Sequence, residues 1–236
     1  MATVKTPRPS RRERARQTRR RMVDSARELF IAQGYAATTM AQIAAGAGVA
    51  VQTVYYTFKS KGQLLSEVVE VTAAGDDDPV PVPRRAWVRE MLSASSAQRV
   101  VALGVEHGTA IYERVAVLWP AVAAAAATDP DVEDYWRGVT ANRRSGQRGM
   151  VTRVAELGDL RPGLGVERAT DLVVVLAGHD VYRGLVQEAQ WPVPVYKAWL
   201  FTILTQQLLD APTLDSTVAA ELSFAGLVSS PTIEAT

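Results

Sequence analysis

The chain has 236 residues, 47% of them hydrophobic and 22% charged, with a formal net charge of +1 and no cysteine. That size and apolar content suffice for one or two packed domains, and the missing cysteine excludes disulfides, thiolate nucleophiles and thiolate-bound zinc. No apolar run approaches the ~20 residues needed to cross a bilayer, and no apolar secretion segment follows the N-terminal charges, so a cytoplasmic protein without a membrane partner is expected.

Charge is unevenly placed. Residues 1–21 carry nine basic side chains (Lys5, Arg8, Arg11, Arg12, Arg14, Arg16, Arg19, Arg20 and Arg21) against the single Glu13. A basic arm ahead of an acidic body is the expected footprint of a terminus that meets an anionic partner; a solvated tail is the plainer alternative. Residues 1–16, interrupted by Pro7 and Pro9, are expected to be a disordered arm. A first helix is predicted from about Glu13 to Gln33, with Met22, Ala26, Leu29, Phe30 and Gln33 on one face and Gly34 as its C-terminal cap.

Thr39 and Gln42 then stand at capping-box spacing, and Met40, Ile43, Ala44 and Ala47 follow on one apolar stripe. Gly46 and Gly48 are expected to break this second helix. Ser60 and Gln63 repeat the capping spacing ahead of a helix that buries Leu64, Leu65, Val68 and Val69. The segment between, VAVQTVYYTF, is rich in strand formers. No partner strand exists for it, and an isolated strand would leave its backbone groups unpaired, so a helix is predicted. On that helix Val54 and Phe58 face inward, Gln52 and Tyr56 face outward, and Thr53 and Tyr55 flank them. Such a face suits a DNA groove and its phosphates.

The residues from Tyr35 to Leu65 match a known pattern. With G-Y-x-A-T-T-M-x-x-I-A-x-x-A-G-V at the start and T-V-Y-Y-T-F-K-S-K-G-Q-L-L at the end, the stretch resembles the DNA-binding domain of TetR-type transcriptional regulators. The resemblance implies a helix-turn-helix whose second helix enters the major groove of double-stranded DNA, on a homodimer that reads a palindromic operator. It further implies phosphate or base contacts from Thr39, Gln52, Thr53, Tyr55, Tyr56 and Lys61, and Arg19 and Lys59 are expected to join them at the DNA. Val51 stands where many relatives carry a polar reader.

The run GDDDPVPVP at residues 75–83 marks a composition break. Its aspartates could suggest a hard cation, but no further ligands accompany them, and a linker is predicted. Beyond it the pattern is helical: a short helix around Trp87, Met91 and Leu92, another over residues 97–117 ended at Trp119-Pro120, an alanine-rich stretch over 122–128, and a long helix from Pro130 to about Leu157. Elements over 166–178, 182–188 and 195–209 follow, and residues 213–236 form a weakly patterned tail.

Catalytic signals are absent. His107 and His179 lie far apart without zinc spacing, and no P-loop, dinucleotide fingerprint or nucleophile elbow occurs. No enzyme, cofactor or metal site is expected. Asp129, Asp131, Glu133 and Asp134 surround Pro130 as acidic residues do at a helix N-terminus. In the second half, Glu106, His107, Ile111, Tyr112, Trp119, Trp136, Asn142, His179 and Tyr182 combine rings with polar tips. Each alone reads as a core residue with a satisfied tip; as a set, and given the effector-binding domain that the resemblance implies, they are expected to line a small-molecule pocket. The last long helices, with Val173, Val174, Leu176, Trp199, Leu200, Ile203, Leu204 and Leu208, resemble the family's dimerisation bundle, with burial inside one chain as the alternative.

The expected protein is therefore all-α: a helix-turn-helix domain over residues 17–74 (motif about 39–58), a linker, and a larger helical effector-binding and dimerisation domain over 84–212. The implied function is a repressor released from its operator by a small molecule. An activator or dual regulator is the alternative within the class, and a helical small-molecule-binding protein that no longer reads DNA is the alternative outside it.

Overall fold

A computed structural model describes residues 10–75, 80 and 82–210. Among them the fold is helical, with one isolated antiparallel bridge between Leu160 and Leu209. The helices are α1 (Arg11–Ala37), α2 (Met40–Ala47), α3 (Val51–Phe58), α4 (Lys61–Ala74), α5 (Ala86–Ser93), α6 (Ala97–Val115), α7 (Trp119–Ala126), α8 (Pro130–Glu156), α9 (Val166–Leu176), α10 (His179–Tyr182) and α11 (Val193–Leu208). No described helix is long and apolar enough to cross a membrane. The aspartate run at 76–78 and the tail lie outside the described residues.

The chain forms two compact units. Met1–Ala73 and Val117–Arg137 make the first, and Ala74–Ala116 with Gly138–Thr236 the second. The break at 75–83 is therefore not the only division: α7 and the first residues of α8 pack with the N-terminal helices. In the first unit Met22, Ala26 and Phe30 of α1 meet Ile43 and Ala44 of α2, Val54 and Phe58 of α3, and Leu64, Leu65 and Val68 of α4, all essentially removed from solvent. Ala121, Val122 and Ala125 of α7 join this cluster. Their small side chains let α7 lie close against α1.

Helix α1 starts earlier than its apolar pattern indicates. Ser10 caps it: the Glu13 N–H donates to Ser10 Oγ at 3.2 Å, and the Ser10 N–H donates to the Glu13 carboxylate at 2.6 Å. These bonds satisfy orphan donors of the first turn and hold Glu13 below the usual carboxylate range. Arg11 through Arg16, expected in a disordered arm, are thus helical. Gln33, placed on the buried face by periodicity, is exposed; its amide donates to Ala37 O, Thr38 Oγ1 and Gln42 Oε1 and ties the end of α1 to α2.

The second unit is built on α6 and α11, with Val100, Val101, Leu103 and Val105 meeting Tyr196, Leu200, Phe201, Leu204 and Leu208. Leu200, Leu204 and Leu208 are at most 2% exposed inside a single chain, so these leucines belong to the chain's own core. Trp119-Pro120 ends the preceding segment as expected: a 3-10 turn over Ala116–Leu118 leads into α7, with proline in its first turn, where no N–H is needed.

Candidate nucleic-acid interface

Two caps fix α2 in place. Thr39 Oγ1 accepts from the Gln42 N–H at 3.2 Å, and Gln42 Oε1 accepts from the Thr39 N–H at 2.9 Å. At the other end Gly48 takes the left-handed conformation at φ 65 and ψ 43, which an L side chain resists, and its N–H reaches the carbonyls of Ala44 and Ala45. Gly46, predicted to share in the break, is instead within α2, where its missing Cβ has a different use. A Cβ there would lie 2.3 Å from Ser25 Oγ, so glycine allows α2 to rest directly on α1. The Ser25 hydroxyl donates to the Ile43 carbonyl at 3.1 Å across the same contact.

The tight turn after Gly48 delivers α3, which is helical despite its strand-forming composition. Val54 and Phe58 are 0% and 3% exposed, and their burial against the other three helices outweighs local propensity. The opposite face is open. Gln52, Tyr55 and Tyr56 are exposed, Tyr56 at 91%, while Thr53 is half-buried. Helix α3 ends abruptly at Lys59, whose φ of 61 and ψ of −49 make a tight turn closed by the Ser60 N–H on Phe58 O at 2.6 Å. A positive φ at a non-glycine residue is strained, and here it lies beside the exposed face, with the Lys59 side chain in solvent.

Two residues expected at phosphates are engaged within the domain. The Lys61 ammonium donates to the carbonyls of Tyr35 and Thr38 at 2.8 and 3.0 Å and lies 4.1 Å from the centre of the Tyr35 ring. Its role here is to secure the chain between α1 and α2. Arg19 pairs with Glu67 at 2.9 Å and sits 4.6 Å above the Phe58 ring, so it braces α1 against α3 and α4. Thr39 is exposed, but its hydroxyl serves the cap.

The turn into α8 also fastens to this domain. Tyr35 donates its hydroxyl to Asp129, and Ser60 donates to Asp131 Oδ2 at 2.6 Å, while the Asp131 N–H binds Asp129 Oδ1 at 3.0 Å. Desolvation, first, and the Asp129 carboxylate push the Tyr35 phenol upward. The acidic cluster thus joins the helix-start role read from sequence to a second role as acceptor for hydroxyls of the first unit.

These features can be set beside known proteins. Residues 22–68 match the pattern of the bacterial regulatory proteins of the tetR family. The chain carries a TetR-type DNA-binding domain. It is 38% identical over 61 residues to the HTH-type transcriptional regulator AcrR of Shigella flexneri, a stretch covering 26% of this chain and 28% of AcrR. The chain thus matches only about a quarter of that relative's length. Solved structures cover more. The SmeT–triclosan complex superimposes over 82% of this chain and 92% of its own at a TM-score of 0.64 and 18% identity, and SmeT is the repressor of a Stenotrophomonas maltophilia multidrug efflux pump. FadR of Bacillus subtilis, solved with stearoyl-CoA, superimposes over 80% and 98% at 0.59 and 16%. At such identities the likeness is one of fold.

The residues expected to line a small-molecule pocket are not gathered in one place. Trp119 and Trp136 belong with the TetR-type domain, their rings 4.5 Å apart and edge to face. Asn142 is exposed on α8. His107 stacks on Trp87 at 4.6 Å, with burial lowering its pKa, and Ile111 is half-buried on the same helix. Only Tyr112, His179 and Tyr182 come together, with Tyr112 6.0 Å from His179 and 5.6 Å from Tyr182. Tyr196, not singled out by sequence, completes this group 5.3 Å from Tyr182. One hollow of the surface is lined by Arg148, Gly163, Gly165, Val166 and Glu167.

Proposed function

We propose that the chain is a DNA-binding transcriptional regulator of the TetR type, a repressor released from its operator by a small molecule bound in the second unit. The observation that carries this reading is the open face of α3. A ring as exposed as Tyr56 contributes nothing to the fold, yet α3 is held by caps and a buried core so that this ring, Tyr55 and Gln52 stand outward together. The likeness in fold to SmeT and FadR, solved with triclosan and with stearoyl-CoA, supports the effector half of the reading. Selection of bound sequences from a randomised duplex library tests the DNA half directly. Failure to enrich any sequence would leave a helical small-molecule-binding protein.

DNA affinity is expected to depend steeply on salt. Arg11, Arg12, Arg14 and Arg16 project from the first turns of α1 and are exposed. Each phosphate that the protein no longer neutralises flattens the plot of log K against log salt by roughly 0.9 in slope. Changing these four arginines to glutamine should flatten the slope while the preferred sequence stays the same. A slope equal to that of the unchanged protein would show that the basic segment does not touch DNA.

The dimer belongs to the same proposal: two copies would set their α3 helices about one DNA turn apart, ~34–36 Å, on a palindrome. With Leu200 and Leu204 spent on the chain's own core, the dimer surface is better sought at Val175, 65% exposed on α9, and at half-buried Ile203 on α11. The double substitution Val175→Glu, Ile203→Glu should give a helical, folded monomer by sedimentation. If the unchanged protein sediments as a monomer at micromolar concentration, the dimer and the palindrome both fall.

A further inference from the structure

The second unit holds two buried hydroxyls that its own fold does not use. Tyr196 on α11 is 0% exposed and Thr109 on α6 is 2% exposed, and neither side-chain oxygen meets a hydrogen-bonding atom. Such groups are rare, because a buried hydroxyl without a partner is destabilising. Thr109 also departs from other helical threonines of this unit. Thr170, Thr202 and Thr205 each donate to the carbonyl four residues back at 2.8, 2.9 and 2.9 Å; Thr109 does not.

A half-buried cation bonds Tyr112, which follows Thr109 by three residues on α6 and so shares its face. Arg143 on α8 donates to the Tyr112 hydroxyl at 3.0 Å, and that hydroxyl donates in turn to the Ala177 carbonyl at 3.0 Å. Among the described residues no carboxylate pairs with Arg143. Its neighbours differ: Arg144 and Arg148 are paired with Glu167 and Asp171, and Lys197 with Glu106 at 2.9 Å. From Arg143 a continuous wall of rings runs through Tyr112, Tyr182, Tyr196 and Trp199, with successive centroids 5.6, 5.3 and 5.9 Å apart. Burial lowers the pKa of His179, which lies beside Tyr112.

We propose that this cluster recognises an aromatic carboxylic acid, its carboxylate on Arg143, its ring against Tyr182 and Trp199, and any further oxygen on Tyr196 and Thr109. The proposal rests on the reading of the second unit as an effector domain. A carboxylate is a better partner for guanidinium than a phenol is, because the bond is charge-assisted and the planar fork can bind both oxygens. Tyr112 keeps its donor bond to Ala177 when Arg143 turns to the ligand, so the exchange strands no hydrogen. A cationic ligand would meet Arg143 as a like charge.

The test uses the full chain with benzoate and 4-hydroxybenzoate as probes, each beside its primary amide, and benzylamine as the cation, read by calorimetry and by thermal shift. The carboxylates should bind and the amides and amine should bind at least tenfold more weakly. Arg143→Gln should weaken both carboxylates by about tenfold or more, as expected for loss of a charge-assisted bond. Tyr196→Phe should weaken 4-hydroxybenzoate and leave benzoate nearly unchanged. Amides or amine that bind as well as the acids, an Arg143→Gln protein with unaltered affinity, or no binding by either acid would overturn the assignment. Higher melting temperatures for Tyr196→Phe and Thr109→Val with unchanged probe affinity would overturn the part given to the hydroxyls. Operator release is scored separately: a carboxylate that binds through Arg143 but leaves DNA affinity untouched would keep this site and remove the effector reading.

Discussion

Val54→Asp is expected to unfold the TetR-type domain, whereas Gln52→Ala, two residues away, should leave its melting temperature unchanged and remove part of its sequence preference. Val54 is 0% exposed and packs with Phe58 in a core that includes Ile43, Leu64 and Val68. A carboxylate placed there has no cation to meet, and either its ionisation or its forced protonation costs several kcal/mol. Against a total stability of about 5–15 kcal/mol for an ordinary domain, that is enough to abolish folding. Gln52 is exposed, and substitutions at such positions change stability by no more than about 0.5 kcal/mol. Its amide can make a two-point contact with adenine, worth about 1–3 kcal/mol of discrimination. Selection on a randomised operator library should therefore lose preference at one symmetric pair of positions. Tyr56→Ala should weaken binding in a folded protein. Unchanged selectivity for Gln52→Ala together with a folded Val54→Asp protein would mean that α3 presents a different face.

What could be read from the sequence was whatever depends on near neighbours. The capping box of Thr39 and Gln42, the left-handed Gly48 and the inward pair Val54 and Phe58 each involve residues at most four apart, so spacing alone reveals them. Even the helical state of α3, contrary to its composition, followed from the lack of any strand to pair with it. Contacts across the chain were not legible. Lys61 meets carbonyls 26 and 23 residues away, and Tyr35 meets Asp129 at a separation of 94. A lysine in a phosphate-contact pattern looks the same whether its ammonium faces DNA or a carbonyl. Trp119 and Trp136 show the same limit, since an aromatic residue at helical spacing does not declare which unit receives it. The alanine face of α7 decides that, by allowing close approach to α1. Tyr196 is not legible in the sequence, because periodicity marks a residue as buried but says nothing about a missing partner for its hydroxyl.

The α1–α2 contact that positions α3 should fail when Gly46 acquires a side chain, and should recover when Ser25 loses its hydroxyl. A Cβ at Gly46 would meet Ser25 Oγ at 2.3 Å, yet would lie 3.4 Å from Ser25 Cβ, an ordinary contact. The clash is with one atom. Gly46→Ala should improve helix propensity by roughly 0.5–1 kcal/mol, but overpacking at a buried interface costs about 1–3 kcal/mol, so a net loss of stability is expected. Gly46→Leu, with three further carbons to place between the helices, should cost more and force α2 away from α1. Ser25→Ala alone removes the 3.1 Å bond to the Ile43 carbonyl, a loss of about 0.5–1.5 kcal/mol. In the Ser25→Ala, Gly46→Ala double mutant the new methyl should find room and the propensity gain remain. The two single losses should therefore not add, with a coupling of about 1 kcal/mol or more in favour of the pair. Because α3 is carried on α2 through the Gly48 turn, operator affinity should follow the same order: reduced in Gly46→Ala, lower still in Gly46→Leu, and restored in the pair. Chemical denaturation of the four proteins of the cycle measures the coupling. Strictly additive losses would place the cost of Gly46→Ala somewhere other than the Ser25 hydroxyl and would remove this glycine from the positioning of α3.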